Sequence, residues 1–79
     1  MTNKNSTINI GIIGAGFVGQ LCHLMNFIEL QKCRVVALAE LRPQLRRFVA
    51  DRYNITHRYS THEEMIEKNN EIDAVVVVT

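Results

Sequence analysis

The amino-acid sequence predicts an α/β fold in which parallel strands alternate with crossover helices. Three observations predict it. Short apolar runs rich in β-branched residues alternate with longer segments of helical spacing. The later runs lack the polar alternation of a half-exposed sheet, as in parallel strands covered on both faces. The chain shows no repeat, linker or second domain, and its 79 residues, 47% hydrophobic and 22% charged, suit one small core.

The polar leader Met1 to Thr7 reads as a flexible tail, leaving 8–79 as the folded part. Ile8 to Ile13, bounded by Gly14, is the first strand. From Phe17 to Leu30 the chain is apolar on most sides and too long for a strand, which predicts a largely buried helix with His23 packed or hydrogen-bonded inside it. Val35 to Ala39 is the second strand. Pro43 then suits a first helical turn, where its missing amide hydrogen costs nothing. Leu45, Phe48, Val49 and Tyr53 recur at helical spacing, with Arg46, Arg47 and Asp51 opposite. Ile55 to Tyr59 forms a brief third strand. Thr61 and Glu64 make an S/T-x-x-E capping box opening a third helix, Glu64 and Lys68 are spaced to pair, and Asn69 and Asn70 end it. Ala74 to Val78 is the fourth strand.

Composition excludes several classes of function. Nine Lys+Arg against eight Asp+Glu give a net charge of +1, too little to draw nucleic acid or an anionic membrane. The cluster Arg42, Arg46, Arg47 and Arg52 is interleaved with Glu40 and Asp51 and reads as a solvated helix face. Cys22 and Cys33 suggest neither a disulfide framework nor a zinc knuckle, and no metal site is expected at His57 or His62. No run spans a bilayer and no convincing signal peptide precedes the domain, so a cytoplasmic protein with reduced thiols is expected. Nothing forms a Ser/His/Asp or Cys/His constellation, so no catalytic residue is assigned.

The chemistry lies in the turn after the first strand. Gly14-Ala15-Gly16-Phe17-Val18-Gly19 matches G-x-G-x-x-G between a strand and a helix. The first glycine permits the tight turn, the second lets the backbone approach a pyrophosphate, and the third lets the helix pack closely on the sheet. Amides near Gly16 to Gly19 at the helix start would face the phosphates. The matching acid is Glu40, 21 residues after Gly19 at the end of the second strand. A carboxylate there accepts from the adenosine ribose hydroxyls and repels a 2′-phosphate, favouring NAD over NADP. Arg42 leaves alternatives open: a partner for a 2′-phosphate, a contact flat against adenine, or surface charge. Thr79, at the end of the fourth strand, is another cofactor neighbour. Ser60 and Thr61 read as a helix cap.

Four stretches, Ile10 to Gly16, Val35 to Glu40, Phe48 to Ile55 and Asp73 to Thr79, resemble the start of the glucose-fructose oxidoreductase and inositol dehydrogenase family (Gfo/Idh/MocA). The resemblance covers residues 8 to 79 and implies the first half of a Rossmann NAD(P)-binding domain, a partial doubly wound parallel sheet. It implies an NAD(P)-dependent oxidoreductase acting on sugars, cyclitols or related alcohols, homo-oligomeric when intact. By that resemblance Gly14, Gly16, Phe17, Val18 and Gly19 form the pyrophosphate loop, Glu40 is the ribose acid, and Thr79 lies beside the nicotinamide ribose. The family's Glu-Lys-Pro motif with its catalytic lysine has no counterpart here, so the chain is expected to be truncated before it and inactive alone. The last strand is expected beside the first, where strand order reverses, with apolar strands exposed on one side. The rival expectations are a non-catalytic NAD(H)-sensing module and an inactive fragment.

Overall fold

The computed structural model describes residues 7–16, 18–30 and 32–78, without the side chains of 18–20, 27 and 30. Strands and helices alternate along the chain: β1 (Ile8–Ile13), α1 (Val18–Leu30), β2 (Cys33–Ala39), α2 (Pro43–Arg52), β3 (His57–Tyr59), α3 (His62–Lys68) and β4 (Ala74–Val77). They build one sheet of order β3-β2-β1-β4 with every pairing parallel. The chain therefore steps outward from β1 to β3 and returns to β4 on the far side of β1. That return is the reversal of strand order at which open α/β sheets bind ligands.

Local chemistry explains the element boundaries. Pro43 opens α2. At α3 the Thr61 hydroxyl accepts from the Glu64 amide at 3.2 Å. The Glu64 carboxylate reaches back to the Ser60 amide at 3.3 Å, one residue earlier than the reciprocal capping box. Lys68 donates to Glu64 one turn away at 3.2 Å, as its spacing predicts. β2 begins at Cys33, two residues before the apolar run that announces it, because pairing with Ile8 and Asn9 extends the ladder through Arg34.

The sheet separates two apolar clusters. On one face Ile10, Ile12 and Leu38 meet Leu21 and Ile28 of α1, Val49 and Ala50 of α2, and Ile55. On the other, Val36, Ala37 and Ala39 meet Met65 of α3. The β1–β2 register shifts between Ile10 and Gly11, passing Val36, so that Val35 and Leu38 both serve the first face. α3 thus covers β2, and among the described strand residues the expected exposure is found at the β4 edge, at Val75 and Val77, and at Ile8 where β1 begins.

Two expectations are corrected. His23 is exposed, not packed inside α1. The buried and half-buried positions Leu21, Leu24, Met25 and Ile28 follow one helical stripe, and His23 falls about 200° around the axis from Leu21. Phe48 is likewise 56% exposed, while Ala50 takes its place in the core. The stripe of α2 runs through Leu45, Val49, Ala50 and Tyr53, and Phe48 lies on its flank.

Leu38 of β2 is fully buried in the first-face cluster, with Leu21 and Ile28 of α1 and Val49 of α2. Leu38→Ala is expected to cost about 2–5 kcal/mol, read as a lowered midpoint in urea denaturation.

Candidate dinucleotide site

At the carboxyl ends of β1, β2 and β4 the ladders run one residue past the strands. The Gly14 amide donates to the Ala39 carbonyl at 2.8 Å, and the Val78 amide to the Ile13 carbonyl at 2.7 Å. The Glu40 amide donates to the Tyr59 carbonyl at 3.0 Å, bringing β3 to the same edge. The turn Gly14 to Gly16 therefore leaves the sheet between two neighbouring backbones. Gly14 has φ +87°, and a Cβ there would collide with the Val78 carbonyl oxygen. Any other residue would be strained both by its dihedral and by that contact.

Glu40 follows β2 and is 5% exposed. Its Oε1 accepts from the Ala15 amide at 2.9 Å, which ties the acid directly to the glycine turn. Its Oε2 accepts from the Arg42 amide at 2.8 Å. The Arg42 guanidinium completes the set, Nε to Oε2 at 3.0 Å and Nη2 to Oε1 at 3.2 Å. The guanidinium hydrogen bond holds the Glu40 carboxyl down to about 2 from its ordinary 4.5; burial opposes this, and the Arg42 and Ala15 amides add to it.

Arg46, read from the sequence as part of a solvated face, is half-buried and donates to the Glu40 carbonyl at 2.8 Å and to Ser60 Oγ at 3.3 Å. It joins the loops after β2 and β3. Its place one turn after Arg42 on α2 was the available signal. Ser60 and Thr61 serve α3 as caps, as expected. Val18 and Gly19 open α1, whereas Phe17 and Thr79 lie outside the described residues.

Beside Glu40 a cleft of about 360 Å³ is lined by Ile13, Gly14, Leu41, Ser60 and His62 among others. A larger cavity of about 450 Å³, lined by Met25, Arg34 and Tyr53, lies at the amino end of β2. The smaller one is the candidate, because ligands of open parallel sheets gather at the strands' carboxyl ends. Among the described residues no three His, Cys, Asp or Glu side chains converge to hold a metal, and no helix is long and apolar enough to cross a membrane.

Residues 8–79 match the model of the GFO_IDH_MocA oxidoreductase family, NAD-binding Rossmann fold. The chain belongs to this family. Among curated proteins no sequence matches it. Among solved structures, myo-inositol 2-dehydrogenase from Lactobacillus plantarum is similar at 28% identity and TM-score 0.78, over 94% of this chain and 22% of that one. An oxidoreductase from Agrobacterium radiobacter, solved with NAD+, L-tartaric acid and magnesium, shares the fold at 19% identity and TM-score 0.81, over 94% of this chain and 21% of that one. The chain thus spans roughly a fifth of the length of these two structures.

Because the folded-state value of Glu40 lies below that of the unfolded chain, its contribution to stability is complete above pH 4.5 and is lost as the pH falls to about 2. The expected loss over that window is about 1–3 kcal/mol, the guanidinium being largely exposed. Glu40→Gln should remove this part of the acid dependence, read from urea midpoints between pH 5 and pH 2. Gly14→Ala is expected to destabilise by more than about 1 kcal/mol in the same assay.

Proposed function

We propose that residues 8–79 hold the ADP part of NAD in an oxidoreductase that transfers a hydride between a nicotinamide cofactor and a sugar, cyclitol or related alcohol. The observation that carries this reading is the buried Glu40 carboxylate at the end of β2, hydrogen-bonded to the Ala15 amide of the glycine turn. The residues fit the cofactor. At Gly16 a Cβ would project to 3.2 Å from Arg42 Nη2, into the space between turn and acid, so a bare backbone keeps that approach open. The family's NAD-binding Rossmann fold supports the cofactor, and the likeness to myo-inositol 2-dehydrogenase supports a cyclitol or related polyol.

On this reading Gly14 and Gly16 admit the pyrophosphate to the backbone, and Phe17, Val18 and Gly19 lead into the first amides of α1. Glu40 accepts from the adenosine ribose hydroxyls and sets negative charge against a 2′-phosphate, favouring NAD over NADP. Arg42 stands at the adenosine end and Thr79 beside the nicotinamide ribose. Bound nicotinamide supplies the hydride carrier. On this reading residues 8–79 form the N-terminal part of the dinucleotide-binding domain, and none of the residues named here exchanges the substrate's proton.

The test is an equilibrium titration of the full chain with NAD+ and NADP+. Glu40→Ala should weaken NAD+ binding by about tenfold or more and narrow the preference over NADP+. An unchanged ratio of the two affinities would overturn the assignment of Glu40.

A further inference from the structure

Glu40 has no acceptor position to spare. A carboxylate offers about four lone-pair sites, and among the described residues four donors reach this one: the amides of Ala15 and Arg42, and Nε and Nη2 of the Arg42 guanidinium. The two amides belong to the backbone of the turns and stay with the fold. The other two donors belong to a long side chain that is 61% exposed, whereas the acid it covers is 4% exposed. Arg42 Nη2 also stands 3.2 Å from the place a Cβ on Gly16 would take, so the guanidinium spans the opening between glycine turn and acid.

We infer that the Arg42 side chain is a latch on the ribose acid, competing with the ribose hydroxyls of the dinucleotide for the same two Glu40 oxygens. The inference rests on the cofactor reading proposed above. NAD binds once the guanidinium has swung away, and its apparent affinity is reduced by the fraction of molecules that hold the latch closed. The fold permits the movement without other cost to α2. Arg42 caps that helix through its backbone, which is extended at φ −81° and ψ 114°, and its side chain makes no cap hydrogen bond. Its carbonyl accepts the Arg46 amide at 2.9 Å whichever way the side chain points. Arg46 lacks this freedom, being held by both the Glu40 carbonyl and Ser60.

The latch also bears on cofactor choice. A guanidinium freed from Glu40 remains within reach of the ribose 2′ position, where a 2′-phosphate offers it a new charged partner and a 2′-hydroxyl offers no charge. Opening is therefore partly recovered with NADP and hardly at all with NAD. Removing the guanidinium should shift the two affinities in opposite directions, the reverse for NAD of what an adenine-stacking arginine would do.

The experiment compares the full chain with Arg42→Ala and with Arg42→Gln, the second variant keeping most of the side chain should the first fold poorly. NAD+ and NADP+ are titrated against each, and the 15N–1H resonance of Arg42 Nε is followed without cofactor. Both variants should bind NAD+ about three- to tenfold more tightly and NADP+ more weakly. The cofactor-free wild type should show an Nε resonance with the shift of a carboxylate-bound guanidinium, lost in Glu40→Gln and on saturation with NAD+. Weaker or unchanged NAD+ binding in the variants overturns the latch while leaving the cofactor reading standing. No binding of NAD+ by any of the proteins overturns that reading and the latch with it.

Discussion

One hydrogen bond, from the Ala15 amide to the Glu40 carboxylate, joins the two halves of the candidate site. It holds because the sheet brings its ends together first. β1 is paired on both edges, by β2 and β4, and each ladder continues one residue into the following turn. The Gly14 amide and the Ile13 carbonyl are thereby satisfied where the chain leaves the sheet, so the turn starts from fixed geometry. A buried carboxylate costs several kcal/mol unless donors surround it. Here the turn, the following loop and Arg42 provide them.

The packing follows from the same centre. β2, next to β1, is covered on both faces, by α1 and α2 on one and by Met65 of α3 on the other. β4 pairs with β1 along one edge and leaves Val75 and Val77 exposed. At its start, Asp73 and Asn9 exchange hydrogen bonds, Asp73 amide to Asn9 carbonyl at 2.7 Å and Asn9 amide to Asp73 Oδ2 at 2.8 Å. The outer strand is thus clamped at its amino end by polar contacts and at its carboxyl end by the Val78 amide.

Charge at the site is balanced and unevenly buried. Glu40 is enclosed while its partner Arg42 is mostly in solvent, so the pair can open by moving the exposed member alone. The Glu40 proton is held weakly because the guanidinium outweighs the burial penalty. An acid ionised at neutral pH, with its cationic partner on the solvent side, is suited to a hydroxyl donor that arrives from solvent.

Much of this was legible in the sequence. Runs such as Val35 to Ala39 and Ala74 to Val78 declare parallel strands through their lack of polar alternation, and Pro43 and the Thr61 cap mark helix starts through local chemistry. The interval from Gly19 to Glu40 is set by one helix and one strand, so it carries the site's outline. Other features depend on neighbours far along the chain. His23 and Phe48 lie outside the buried stripes because each helix shows the sheet one face, and which face is settled by contact. Arg46 looked like surface charge until β2 and β3 brought the Glu40 carbonyl and Ser60 beside it. That the Arg42 amide and guanidinium both fill Glu40's acceptor sites likewise depends on how the chain leaves β2 for α2 beside the glycine turn. Local propensity and spacing determined the elements and the glycine-acid outline of this protein; burial and the filling of each hydrogen-bond position were decided by the assembled sheet.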